Sequence, residues 1–280
     1  MGYGGFSAML AAFITSPFGG AILTLETAAG GQSAGPIYFW GLFPSLLGSA
    51  VATVVFVALV GHFFQTLYAF PDYVPRLLDL VFAVPFALVG GLAGLFFMFA
   101  LKWLRQLMQP LQGRPVLRGL IGGLGMGIIG ALLPLTLFSG EKETVELIDQ
   151  ATEIGFGLLL LLAVTKLLAT SLMLATGWKG GYLFPIMFAG IALGMAGKVL
   201  FPNVPTAVPV AAVLAGALVA ALRAPLFSAL FTLAMVQVET APVVAVGVLA
   251  GSFLTTGLSM RSARRAQAKA QSSIEERESQ

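Results

Sequence analysis

No cysteine occurs anywhere in the 280-residue chain, so neither a disulfide nor a thiolate metal site is available to it. Histidine occurs once, at His62, which leaves no Ser/His/Asp set and no cluster of metal-ligating side chains. Charge is equally scarce. Asp, Glu, Lys and Arg make up 10% of the residues, where soluble domains carry about 25%. The formal net charge is +3, and the basic residues gather at the ends of apolar runs rather than on one face, which argues against nucleic-acid binding. These shortages exclude a water-soluble fold and leave no basis for an enzyme, a cofactor or a metal centre.

Apolar sequence fills the space instead. Hydrophobic residues account for 58% of the chain, and no charge interrupts residues 1–25, 27–71, 80–101, 119–140, 154–165, 180–197, 199–222, 224–238 or 240–260. Crossing a bilayer core takes roughly 20 apolar residues, so several of these runs are long enough. The first run starts at Met1 without a charged leader segment or a small-residue cleavage site, and so does not read as a signal peptide. Runs and breakers together predict helices over residues 5–15, 17–28, 38–67, 74–109, 115–134, 144–150, 154–176, 183–200, 207–222, 225–237 and 241–258. The expected fold is an all-α, multi-pass membrane protein lying in the bilayer.

Several of those helices are too short to span. Their joints fall at Ser16-Pro17, at Gly181 to Pro185, at Ala224-Pro225 and at Ala241-Pro242, where proline or glycine must start or stop a helix. A helix broken at membrane depth survives only where its ends are buried in protein or line a watery cavity, because unpaired amides in hydrocarbon are costly. That is the pattern of a transporter or channel. Among the 34 glycines, Gly119, Gly123 and Gly127, and also Gly190 and Gly194, stand at spacings that allow close helix contact.

Lys102, Arg105, Arg114 and Arg118 flank a joint near Pro110, and Arg261, Arg264, Arg265 and Lys269 follow the last apolar run. The positive-inside rule puts both groups in the cytoplasm, with the acidic stretch Glu141, Glu143, Glu146, Asp149 and Glu153 on the other side. The expected organisation is a membrane domain over 1–260 and a polar cytoplasmic tail over 261–280. Shifting the sequence by 208 positions lays Leu10–Leu25 on Leu218–Leu233, matching Pro17 with Pro225 and five other residues. The shared form is a helix, a Pro-initiated break and a second apolar helix, which divides the membrane domain into the end of a first repeat (1–70) and a second repeat (74–258).

The run Gly180-Gly181-Tyr182-Leu183-Phe184-Pro185 carries the sharpest chemistry. Two glycines permit a tight turn, and the helix that follows, from about Leu183, points its free N–H groups at whatever lies in front of it. Those amides and the helix dipole make an anion site without a charged side chain, which suits passage because a buried cation would hold the anion too tightly.

This run resembles the GGxFxP signature of the CLC family of chloride channels and chloride/proton antiporters. The order of other landmarks agrees: Ser16-Pro17-Phe18-Gly19-Gly20 through Glu26 is similar to the family's first Pro-initiated interface helix, Arg223-Ala224-Pro225-Leu226 to its partner, and Lys166 to a basic residue common nineteen positions before the signature proline. The resemblance covers about residues 4–259. It implies an inverted-repeat fold with re-entrant helices, anion positions lined by the backbone amides of Tyr182, Leu183 and Phe184, a supporting turn at Gly180, Gly181 and Pro185, and a homodimer joined through the two Pro-initiated helices. Two family signatures, G-S-G-I-P and the gate-bearing G-R-E-G-P, are absent from the sequence, which therefore reads as N-terminally truncated. The family's inner proton-transfer glutamate aligns with Thr27, which cannot carry a proton as a carboxylate does.

Of the other intramembrane charges, Glu26, Arg223 and Glu239 lie beside helix ends, where capping or snorkelling accounts for them. Lys166 lies deep in an apolar run and either attracts anions or pairs with helix carbonyls. His62 reads as an interface anchor beside Phe63 and Phe64. The sequence thus leads to a plasma-membrane protein, its C-terminus cytoplasmic, that moves chloride or a related small anion. The competing expectation is a non-transporting fragment that needs the missing helices from another chain.

Overall fold

The computed structural model describes residues 2–14, 16–29, 34–61, 68 and 70–257. His62 and the tail over 261–280 lie outside them. Every regular element among the described residues is helical: α1 (Gly2–Ile14), α2 (Pro17–Ala29), α3 (Ala34–Val60), α4 (Leu77–Leu107), α5 (Pro115–Leu132), α6 (Glu141–Asp149), α7 (Ala151–Ala175), α8 (Leu183–Leu200), α9 (Ala207–Leu222), α10 (Pro225–Met235) and α11 over 241–257. Six described helices are long and apolar enough to cross a membrane.

The centre of the molecule is α9. It has no charge and no polar face, and all residues from Ala207 to Ala221 are buried, as expected of a helix that is apolar all round. Small residues on its neighbours bring the backbones together. Gly90 and Gly94 of α4 lie against the carbonyls of Val213 and Ala217, and a Cβ added at Gly194 of α8 would sit 2.5 Å from the Cα of Val210. Gly251 of α11 also approaches Gly216, where a Cβ would stand 2.8 Å from its carbonyl oxygen.

Helices α1, α2 and α3 form a second unit with hydroxyls in its seams. Ser7 Oγ donates to the Gly4 and Ser45 carbonyls at 3.0 and 3.2 Å, and Thr53 Oγ1 to that of Ala11 at 3.3 Å. The unit meets the rest of the described structure mainly where α2 packs on α10.

Glycines expected to pack do not all do so. Gly190 and Gly194 are enclosed, but Gly119, Gly123 and Gly127 of α5 have nothing within 4 Å of where a Cβ would lie. The contacts fall instead on Gly122, Gly125 and Gly130, which receive Thr176 with Trp178, Leu172 and Leu137. Glycine surrounds this helix on every side, so the partner's side chains choose the face. The third helix ends at Val60 rather than near 67, because Gly61 takes the left-handed conformation (φ 90°) and its N–H closes on Val57 O at 3.0 Å. Within α7, Gly155 (φ 75°, ψ 162°) breaks the first turn from the rest.

A candidate anion site at the start of α8

α7 runs between two chemically different edges. Its first turn carries Glu153, and the preceding α6 carries Glu141, Glu143, Glu146 and Asp149. Its last turn lies beside the start of α5, where Arg118 Nη2 donates to Ala175 O at 2.9 Å. The helix then stops cleanly. Gly177 is left-handed (φ 97°), its N–H reaches Leu174 O at 3.4 Å and the Trp178 N–H reaches Met173 O at 3.1 Å, the paired closure of a Schellman motif. The tight turn of this segment is therefore made at Gly177. Gly180 and Gly181, which the sequence suggested for that task, have no left-handed φ, and no atom lies within 4 Å of where a Cβ would be. Their effect is to leave bare backbone in front of the next helix.

That helix begins with Tyr182 as its N-cap (φ −111°, ψ 2°), whose carbonyl accepts the Ile186 N–H at 3.1 Å. No side chain caps it. The N–H groups of Tyr182 and Leu183 find no acceptor among the described residues, and Pro185, in the first turn, has none to offer. Tyr182, Leu183 and Phe184 are half-buried, whereas everything from Pro185 to Ala192 is buried. The start is fixed in depth by the Tyr182 ring, which packs on buried Phe97 with centroids 5.4 Å apart. Phe97 precedes the end of α4 by ten residues, about 15 Å of helix. Phe97 also precedes Lys102, the first charge of the basic edge, by five residues, about 7.5 Å of helix, so α8 begins below that edge within the apolar depth, with its positive dipole end uncapped.

Lys166 stands nearby but does not face this start. It is 1% exposed, and its Nζ donates to the carbonyls of Thr136, Leu137 and Phe138 at 3.0, 3.1 and 3.0 Å, with the Phe188 ring centroid 4.9 Å away. This is the carbonyl pairing that the sequence left open as one of two roles. All three ammonium protons are engaged, so none remains for direct contact with an anion.

Glu26 caps a helix, one of the two roles, capping or snorkelling, that the sequence left open for it. Its Oε1 and Oε2 accept the N–H groups of Leu226 and Phe227 at 2.8 and 2.9 Å, across 200 and 201 residues of sequence. A carboxylate thus occupies the anion position at the start of α10. The repeat-related position of Glu26 is Ala234, which lies 234 − 26 = 208 residues on and has no carboxylate. Helix α2 is capped instead by Ser16 Oγ, which accepts the Gly19 N–H at 3.3 Å. The signal for the Glu26 contact was present: an acid ending one Pro-initiated helix and uncapped amides opening its partner. Arg223 is exposed as the left-handed C-cap of α9 (φ 55°), and Glu239 is exposed in the short turn Val238–Thr240. Thr27 lies in α2.

Helices long enough to span, others that start at depth and an uncapped helix start among them define an all-α multi-pass membrane protein of the broken-helix class. Residues 3–256 match the voltage gated chloride channel family, and the chain belongs to that family. Among curated relatives, YfeO of Salmonella newport (strain SL254) and YfeO of Salmonella typhimurium (strain LT2), both provisionally described as ion-transport proteins, are 30% identical to it over 204 residues. The match covers 71% of this chain and 47% of each relative, so the chain spans about half the length of the curated relatives it matches. The family resemblance read from the sequence is borne out. Family and relatives point to ion transport rather than to enzymatic chemistry.

Proposed function

We propose that the chain forms part of a pathway for chloride or a related small anion, with the backbone amides of Tyr182, Leu183 and Phe184 at the passage point. The observation that carries this reading is the start of α8: at bilayer depth, uncapped, half-buried, with the N–H groups of Tyr182 and Leu183 unpaired among the described residues. An ion that sheds water there receives N–H donors and the positive end of a helix dipole. Among the described residues no fixed cation bonds to it, so release stays easy. The same reading takes the chain as a homodimer in the plasma membrane. Phe18 and Leu226, 60% and 63% exposed at the starts of α2 and α10, suit that contact.

Chloride efflux from liposomes holding the purified chain tests the reading, with Gly181→Val as the informative variant. A side chain there stands before the amides, and its Cβ meets nothing within 4 Å. Efflux should fall on the order of tenfold, equivalent to ~1.4 kcal/mol, with the melting temperature unchanged. Efflux indistinguishable from empty liposomes for the unmodified chain would defeat transport by this chain alone. It would favour the second reading, a structural half completed by helices of another chain, which the half-length match to the relatives supports.

A further inference from the structure

Lys166, the charge that the sequence offered as an anion attractor, is engaged with three carbonyls. Lys179 stands in the opposite state: it is exposed and makes no hydrogen bond or ion pair among the described residues. It precedes Tyr182 by three residues, so the chain between them spans at most about 10 Å. Its place in the fold is fixed from behind, where the Trp178 N–H closes on Met173 O at 3.1 Å and the Trp178 indole sits against Gly122 of α5. Ahead of it, Gly180 and Gly181 put no side chain between the ammonium and the start of α8.

A cleft of about 440 Å³ beside α5 and α7 joins the two places. Lys179 lines it together with Gly180, Gly181 and Pro185 of the first turn of α8, and among the described residues its only charges are Lys179 and Lys166. Much of the remaining wall is apolar, with Met126 and Met173 on facing helices. A charge beside low-dielectric walls is weakly screened, and its field is focused along the cleft instead of dispersing in water. No carboxylate lines the cleft to cancel it.

We propose, on the anion reading of that helix start, that Lys179 is its anion-attracting residue: the ammonium raises the concentration of small anions before the amides of Tyr182, Leu183 and Phe184 without bonding the ion held there. Attraction at a distance speeds arrival, and the lack of a direct bond leaves release easy. The test varies the charge at this one position in the full chain, which has no native cysteine to compete. Lys179→Cys is labelled in non-ionic detergent with a trimethylammonium or a sulfonate methanethiosulfonate, then reconstituted for chloride efflux. In ~10 mM salt, where the Debye length is about 30 Å, the positive adduct should restore the rate of the unmodified chain and the negative adduct should run about tenfold slower. In ~1 M salt, with a Debye length of about 3 Å, the two should agree within about twofold. Equal rates in low salt, or a difference that high salt leaves intact, would overturn the proposal, since a structural role does not follow the sign of a screened charge. Gly181→Cys supplies a readout that needs no transport. Relative to a free small thiol it should favour the sulfonate reagent over the trimethylammonium one, and adding Lys179→Gln should cut that ratio about tenfold. An unchanged ratio would equally overturn the proposal. Absence of efflux from the unmodified chain would instead defeat the passage reading, and the reactivity ratio would still decide whether Lys179 sets the local anion concentration.

Discussion

Lys166 and Glu26 are two of the charges that this fold uses to complete backbone hydrogen bonding, Lys166 at three carbonyls and Glu26 at two N–H groups. The loop over 136–138 cannot continue as helix because Pro134 opens it and Phe138 is left-handed (φ 53°), so three successive carbonyls point at one spot. A buried ammonium has three donors, one for each of them. Replacing it with methionine leaves those acceptors without donors, at about 1–3 kcal/mol for each buried group. Lys166→Met should therefore destabilise the protein by ~3 kcal/mol or more, seen as a large drop in melting temperature in detergent, while Lys166→Arg should recover part of the loss. Glu26 differs because it is partly exposed and holds two N–H groups of α10. Glu26→Gln retains one acceptor and loses the charge at the helix dipole, a cost of about 1–2 kcal/mol. Glu26→Ala should cost more, and protease should then cut faster in the α3–α4 connection than in the unmodified chain. An unchanged cutting rate would mean that α2 holds α10 without the carboxylate.

Helices were legible in the sequence because membrane insertion forces each of them to announce itself as a charge-free run bounded by proline, glycine or charge. The starts at Pro17, Pro115, Leu183, Ala207 and Pro225 fall where the breakers placed them. Which glycine does what was not legible, since a run such as Gly119 to Gly130 presents small residues at every angle. The turn role suggested for Gly180 and Gly181 fell to Gly177 for a related reason: the left-handed residue must directly follow the last helical carbonyls it closes. Of the candidate site, the uncapped start of α8 was readable from its glycines and proline, whereas the packing of Tyr182 on Phe97 joins residues 85 apart (182 − 97) and has no local signal. The packing pattern gives a test with opposite signs. Gly90→Ala drives a methyl into the backbone of Val213 in α9 and should cost about 1–3 kcal/mol by overpacking. Gly123→Ala meets nothing within 4 Å and should stabilise α5 by up to about 1 kcal/mol through helix propensity. Thermal unfolding of the two variants side by side decides it, and equal effects would contradict the face assigned to α5.

At the scale of the molecule, what matters is which way the two edges point, because an uncapped helix start opens toward one side of the membrane and not the other. The basic edge gathers Lys102, Arg105, Arg114, Arg118 and Lys179, brought together by the joint between α4 and α5 and by the Arg118 bond to the end of α7. The acidic edge carries α6 and Glu153. Basic residues are retained on the cytoplasmic side during insertion, while acidic ones weigh little, so the basic edge should face the cytoplasm. The absence of native cysteine makes this simple to test, since a single introduced thiol is the only one present. Gln112→Cys lies in the exposed joint between α4 and α5, and Lys142→Cys in the first turn of α6. In intact cells a membrane-impermeant maleimide should label Lys142→Cys directly and Gln112→Cys only after permeabilisation. The reverse pattern would turn the protein over in the membrane. Labelling of both thiols in intact cells would mean that the two edges do not lie on opposite sides of one bilayer.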